Sequence, residues 1–371
     1  MMRLKRLLIL ALCLLISGVF QQITFAQEAP PARTIPITSK GFGAKLSPDG
    51  KTLITFENTV LLDLKEMDPT LLPMRVIDMS TGKERGQLSG FSDFTADVAF
   101  TRNGSRLISV QMNGDVYIWD MVSLKVMKTF QTPLLGNLQI KLFPDNRRIL
   151  ALLGGIPQRL LVIDTETGGI TQSFGKHFES YLEFQANYTQ FPGVGDIQFA
   201  SFALSPDGKI LATTTANDEV MLTTLADGQS QLIRQKSEQY ALFNIRQLAF
   251  TPDGKSLVYY DLADSKTHIW DIAAKSENAA LDIGSDTFAL SPDSTRIAWV
   301  TREKDKPNTL SIAPLDAPDK AKVLLTLPDG LQVAPRITWV TFTPNGKQVV
   351  VGGFRASDET DNQIDVVDVP S

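Results

Sequence analysis

Short apolar runs separated by polar turns follow one another along most of the chain, and one arrangement of them recurs. An apolar strand ends in a turn built on Pro-Asp-Gly or a variant, and a second apolar strand follows. The copies begin at Leu46-Ser47-Pro48-Asp49-Gly50, Phe100-Thr101-Arg102-Asn103-Gly104, Leu142-Phe143-Pro144-Asp145-Asn146 and Leu204-Ser205-Pro206-Asp207-Gly208. They continue at Phe250-Thr251-Pro252-Asp253-Gly254, Leu290-Ser291-Pro292-Asp293-Ser294 and Phe342-Thr343-Pro344-Asn345-Gly346. Successive copies are 54, 42, 62, 46, 40 and 52 residues apart. Proline presets φ at the first central position of such a turn, Asp or Asn bonds its own backbone, and glycine takes positive φ without steric cost. A turn of this kind between two β-rich runs predicts a hairpin.

Each unit then offers a third strand. It is plainest at Val116-Tyr117-Ile118-Trp119-Asp120 and His268-Ile269-Trp270-Asp271, with counterparts ending at Asp78, Asp164, Leu222, Ile312 and Asp368. A polar turn such as Glu166-Thr167-Gly168 and a weaker fourth strand such as Lys125 to Phe130 complete the unit. Four antiparallel strands in a repeat of this length make a propeller blade. The predicted fold is all-β: a seven-bladed β-propeller of four-stranded antiparallel blades. The last unit ends near Val369 with no residues left for a fourth strand. The segment Arg33 to Thr38 precedes the first repeat and is expected to supply that outer strand, closing the ring. In blade one, Thr59 to Leu64 competes with Arg75 to Asp78 for the third strand, and the pattern leaves that choice open.

These repeats resemble the WD40 family. The Ile-Trp-Asp endings at 118–120 and 269–271 carry the likeness best, and Ser109 to Asp120 is similar to a family repeat along its length. The resemblance covers about residues 33 to 369. The Pro-Asp turns are also similar to those of TolB-like (PD40) propellers. No repeat opens with Gly-His, so the family's internal Ser/His/Trp hydrogen-bond network is not complete anywhere. Asn113 stands where the family often has an aspartate. The resemblance implies a protein-interaction or scaffolding platform working through one face.

The first 26 residues differ from the rest. Arg3, Lys5 and Arg6 precede a mostly apolar run from Leu7 to Phe20, and Thr24 and Ala26 stand three and one before a cut after Ala26. That is the layout of a secretory signal peptide. The apolar run is 14 residues, short of the roughly 20 that span a bilayer. The expected organisation is a signal peptide at 1–26, a linker at 27–32 and one propeller at 33–371, in a secreted, periplasmic or envelope protein with no membrane span after cleavage. Cleavage moves the net charge from −5 to −8 and removes Cys13, the only cysteine. A chain this long can bury enough surface without disulfides. Its negative charge argues against a nucleic-acid partner, and its 43% hydrophobic content argues against disorder.

Candidate chemistry is sparse. His177 and His268 lie 91 residues apart with no mature cysteine, which is no zinc set. Asp358, Glu359 and Asp361 form an oxygen-rich loop that offers a weak calcium possibility, without the glycine and spacing of a known calcium loop. No nucleophile elbow, phosphate loop or dinucleotide fingerprint occurs, so no catalytic residue and no cofactor is assigned and the reading is not an enzyme. Trp119 and Trp270 read as blade packing, Asp120 and Asp271 as turn residues, and His268 as a strand residue with a satisfied partner. Insertions fall between second and third strands or between blades, which places them on one face, and loops on a rigid scaffold are where binding sits. The stretch 174–202 is rich in aromatics, and Phe178, Tyr181, Phe184, Tyr188 and Phe191 are the candidate partner-binding residues. The alternative is an enzyme or small-ligand sensor with its site at the mouth of the central channel.

Overall fold

The computed structural model describes residues 32–37, 43–56, 73–132, 139–153, 159–174, 199–215, 218–234, 245–301, 308–326, 339–353 and 362–370. It is a seven-bladed β-propeller, and each blade is a four-stranded antiparallel sheet. β1 is Ala32–Ile37. Blade 1 is β2 (Gly43–Leu46), β3 (Thr52–Phe56), β4 (Met74–Asp78) and β5 (Lys83–Leu88). Blade 2 is β6 (Thr95–Phe100), β7 (Arg106–Gln111), β8 (Asp115–Asp120) and β9 (Lys125–Gln131). Blade 3 is β10 (Gln139–Leu142), β11 (Arg148–Leu153), β12 (Arg159–Asp164) and β13 (Ile170–Phe174). Blade 4 is β14 (Phe199–Leu204), β15 (Ile210–Thr215), β16 (Val220–Thr224) and β17 (Ser230–Arg234). Blade 5 is β18 (Ile245–Phe250), β19 (Ser256–Asp261), β20 (Lys266–Asp271) and β21 (Ser276–Leu281). Blade 6 is β22 (Phe288–Leu290), β23 (Arg296–Thr301), β24 (Thr309–Pro314) and β25 (Lys322–Thr326). Blade 7 holds β26 (Trp339–Phe342), β27 (Gln348–Gly353) and β28 (Asn362–Asp368). β1 runs antiparallel beside β28, with Ile35 opposite Ile364. In blade 1 the third strand is Met74–Asp78, paired so that Ile54 faces Val76. The competing run 59–64 lies outside the described residues, as do 1–31 with the expected signal segment.

Burial falls from the second strand of a blade to the fourth. β7 and β19 are buried at five successive positions, whereas β9 and β21 are mostly exposed. The second strand is covered on both faces by neighbouring blades, which explains its continuous apolar run. Seven apolar clusters result among the described residues, one at each blade interface. The seam between blades 7 and 1 is of the same kind: Leu53 and Ile77 pack with Val350, Val366 and Ile35. Burial of such side chains stabilises by about 1.5–3 kcal/mol each.

The turn between first and second strands is five residues long in all seven blades. In six of them a hydroxyl locks it. Ser47 Oγ donates to Asp49 Oδ1 at 2.6 Å and accepts the Thr52 N–H at 2.9 Å. Ser205 repeats this with Asp207 and Ile210, and Thr251 with Asp253 and Ser256. Thr101 and Thr343 use Asn103 and Asn345 as acceptors in the same geometry. Blade 3 has Phe143 instead of a hydroxyl. There Arg148 lies over the Phe143 ring at 4.5 Å and donates from Nε to Asp145 Oδ2 at 2.6 Å.

The same turns touch around the axis. The fourth turn residue has φ between +57° and +72° in every blade. Where it is glycine, the proline of the preceding blade, or the residue beside it, comes close. A Cβ on Gly50 would lie 2.8 Å from Pro344 Cδ, and one on Gly208 would lie 2.7 Å from Pro144 Cδ. Looser versions pair Gly104 with Pro48, Gly254 with Pro206 and Gly346 with Pro292, at 3.6–3.8 Å. The two remaining blades use a hydrogen bond. Asn146 Oδ1 accepts the Arg102 N–H at 2.6 Å, and Ser294 Oγ accepts the Asp253 N–H at 3.0 Å.

Two outcomes follow from this inner ring. Gly50→Ala adds a backbone penalty of about 1 kcal/mol for the left-handed residue and a clash with Pro344, so it is expected to cost about 2–3 kcal/mol in all. Gly228→Ala, at φ +70° with nothing within 4 Å, is expected to cost only the first part. Urea unfolding of the two variants checks the difference, and equal losses would deny the blade 7–blade 1 contact an energetic role. The second outcome concerns acid. The Ser291 and Thr295 hydroxyls hold the Asp293 carboxyl down at about 2, and the Ser47 and Ser205 hydroxyls lower Asp49 and Asp207. Folded values below the unfolded value of about 3.9 mean that this stability is present above pH ~4 and is lost as pH falls toward 2. Replacing Asp49, Asp207 and Asp293 together by Asn keeps the acceptor, as Asn103 and Asn345 do. Denaturation at stepped pH is expected to show a shallower loss between pH 4 and 2 for that variant, and an unchanged slope would contradict the assignment.

Candidate functional site

Strand direction assigns every connection to a face. First-to-second and third-to-fourth turns lie on one face, where the seven inner turns have one length and the outer ones, such as 121–124 and 165–169, are short. Second-to-third and blade-to-blade connections lie on the other. These vary from the three residues 112–114 to the long stretch 175–198. Phe174 and Phe199, the strand ends flanking that stretch, belong to this looped face. Phe178, Tyr181, Phe184, Tyr188 and Phe191 lie outside the described residues. So do His177 and the loop with Asp358, Glu359 and Asp361.

The sequence-predicted packing residues are in place. Trp119 is 1% exposed, stacked on Tyr117 and edge-on to Phe91. Its Nε1 donates to Ser109 Oγ at 3.0 Å. Trp270 packs on the cluster between blades 4 and 5. Asp120 ends its strand and accepts the Val122 and Ser123 N–H groups, and Asp271 accepts that of Ala274. These are turn-closing roles, as their positions at strand ends suggested.

Blades 2 and 5 each hold a polar cluster on the described part of the looped face. In blade 2, Ser92 donates to Asp115 at 2.5 Å, and Asn113 Nδ2 reaches both. This network ties a loop to a turn and fills its own acceptors. Blade 5 is different. His268 on β20 has Nε2 at 3.1 Å from Asp264 Oδ2 and Nδ1 at 3.2 Å from Glu277 Oε2. Asp264 sits in the hairpin turn, Asp261 ends β19, and Glu277 lies on β21. The Tyr259 ring stacks on the imidazole with centroids 5.0 Å apart and planes 11° apart. Burial, then the Glu277 charge, pushes the Tyr259 phenol up, which keeps it neutral. Arg234 reaches across from the outer strand of blade 4, pairing with Asp261 and donating to the Asp218 carbonyl at 2.5 Å.

The expectation that His268 is a strand residue with a partner agrees with this geometry. Sequence reading missed its surroundings. It looked for histidine and cysteine sets, whereas the site joins one histidine to three carboxylates on three strands and a turn. The only linear trace is Asp261-x-x-Asp264-x-x-x-His268, spanning a hairpin. A third feature lies on the inner strands. Lys45 on β2 and Lys141 on β10 both stand three residues before their turn proline. Lys141 is solvent-exposed, and the neighbouring Lys45 charge lowers it against an opposing pull from Asp97.

The described chain is thus a seven-bladed propeller with uniform turns on one face and variable connections on the other. Solved structures share its architecture, among them a domain named as a β-propeller. A chain in the crystal structure of the mitotic checkpoint complex aligns with TM-score 0.64 and 15% identity, over 95% of this chain and 95% of that one. The β-propeller domain of Cps50 (Swd1) from Myceliophteria thermophila aligns with TM-score 0.61 and 13% identity, over 92% of this chain and 100% of that one. At these identities the likeness is one of fold. No family model and no curated protein matches the sequence.

Proposed function

We propose that this chain is an exported, WD40-like interaction platform that binds protein partners through its looped face. The observation that carries this reading is the asymmetry of the connections. One face repeats a single five-residue turn seven times, as a structural constraint demands. The other face carries every long connection, and loops held on a rigid scaffold are free to specialise. The aromatic stretch Phe178 to Phe191 lies in the sequence between β13 and β14, whose flanking ends are on that face, and aromatics are enriched where partners bind. The two solved neighbours support a platform by analogy of fold: one comes, by its name, from a multi-chain complex. Export rests on the layout of residues 1–26. Among the described residues, no helix is long and apolar enough to cross a membrane.

Two experiments test the two halves of the proposal. Affinity capture with the wild type is expected to recover a partner that the Phe178→Ala, Tyr181→Ala, Phe184→Ala triple variant loses, with both proteins folded by circular dichroism. Recovery of the same partners by both removes the aromatic stretch from the interface. For export, N-terminal sequencing of the protein taken from the envelope or medium is expected to start at Gln27. Full-length chain retained in the cytoplasm would sink that half.

A further inference from the structure

We propose that the blade 5 hairpin is a divalent-metal site, with His268 Nε2, Asp264 and Asp261 as ligands and Glu277 as the carboxylate behind the imidazole. The first argument is distance. One ligand atom from each of the three residues lies within 4.8 Å of the other two. His268 Nε2 and Asp264 Oδ2 are 3.1 Å apart. Bonds of about 2.0 Å in a tetrahedral zinc site place neighbouring ligand atoms about 3.3 Å apart. The nitrogen–oxygen edge is therefore already close to its metal-bound length. Asp264 is exposed in a turn, where its Oδ1 accepts the Lys266 N–H at 3.0 Å and its Oδ2 faces the imidazole.

The second argument is the state of the imidazole. A neutral ring has one N–H and one lone pair. Both nitrogens of His268 face carboxylate oxygens, so a neutral ring aims one lone pair at an anion. A cation between Nε2 and Asp264 removes that conflict. The proton on Nδ1 then goes to Glu277, which is how a carboxylate fixes the tautomer of a metal-binding histidine. Charge points the same way. Of the three carboxylates, Asp261 pairs with the Arg234 guanidinium and accepts the Ala263 N–H at 2.9 Å, while Lys266 turns to Asp282 at 3.6 Å. A divalent ion balances the two remaining negative charges.

The third argument comes from the repeat itself. In blade 2 the same two register positions hold Ser109 and Tyr117, and the serine accepts the buried Trp119 Nε1–H. In blade 5 they hold Tyr259 and His268. Trp270 Nε1 is buried with no hydrogen-bond partner among the described residues, as is Trp339 Nε1 in blade 7. A buried donor left unsatisfied costs about 1–3 kcal/mol. Blade 5 thus gives up the hydroxyl–indole bond of blade 2, and its Tyr259 both packs on blade 4 and stacks on an imidazole held between carboxylates.

Three protein ligands leave a coordination position open, and it faces the looped side where Asp264 is exposed. The site does not depend on the interaction reading. The competing explanation is a proton, with His268 as an imidazolium between two carboxylates. The test uses the full chain without a histidine tag, stripped with EDTA and dialysed. Zn2+ is titrated in competition with a chromophoric chelator, and Co2+ binding is followed by visible absorption. One equivalent of Zn2+ is expected to bind. His268→Gln and Asp264→Asn are expected to weaken binding at least ~100-fold and abolish the cobalt band, and Glu277→Gln to weaken it about tenfold. His177→Gln is expected to change nothing. Asp264→Asn is a substitution at an exposed turn position, so it reports on the site even where His268→Gln lowers stability. Wild-type binding no tighter than that of Asp264→Asn, or binding that follows His177, overturns the proposal in favour of the proton.

Discussion

The fold depends on seven inner turns of one length meeting around an axis. A closed ring allows no drift: if one blade sat farther from its neighbour, the displacement would have to be absorbed elsewhere in the circle. The chain meets this requirement with a five-residue turn whose geometry is fixed three ways. A hydroxyl bonds the Asp or Asn two residues on, accepts the N–H five residues on, and a left-handed residue brings the turn against the next blade. The exceptions keep the spacing by other means. Phe143 gives up the hydroxyl and Arg148 takes over Asp145, while Asn146 and Ser294 replace a glycine contact with a hydrogen bond. Different chemistry at one position with unchanged turn length shows that spacing is the constrained quantity.

That constraint explains why so much of the fold is legible in the sequence. Turn residues are read locally, because Pro, Asp and Gly act through their own backbone. Second strands are read equally well, because burial on both faces favours long apolar runs such as Ile149 to Leu152. The third strand of blade 1 is harder, since Thr59 to Leu64 and Met74 to Asp78 both satisfy the strand pattern. Pairing settles it through Leu53 opposite Ile77, which brings Ile77 into the seam with Val350. No local property of either run contains that contact. The strand-three bulges are also hidden: a register shift separates Val76 from Ile77, Ile118 from Trp119 and Ile269 from Trp270. β1 and β28 pair without one, as befits an outer strand that does not continue from its neighbour through a tight turn.

The blade 5 cluster was illegible for a different reason. His268, Glu277, Asp264 and Asp261 are brought together by hairpin register, and Arg234 arrives from another blade. A sequence pass that counts histidines sees two distant residues. Comparing equivalent positions between blades is what exposes the site: Ser109 and Tyr117 surround the Trp119 indole in one copy, while in another Tyr259 packs on blade 4 and stacks on His268 between carboxylates. In a repeat protein each blade is a control for the others, so a local departure that raises a packing cost is informative where the same residues in a unique fold would not be.

The ring also explains how such a departure is tolerated. Blade 5 packs on blade 4 through Leu257 and Tyr259, and on blade 6 through Val258 and Ile269. Both interfaces are intact despite the lost Trp270 hydrogen bond, and the inner turn at Thr251 keeps its bonds. A penalty of about 1–3 kcal/mol is set against two full apolar interfaces rather than against one blade alone. Stability in such an array is shared between neighbours, so chemistry can be placed in one blade at the expense of all seven. The looped side of the second-to-third hairpin is where it disturbs the ring least, because the spacing that the circle requires is set on the opposite face.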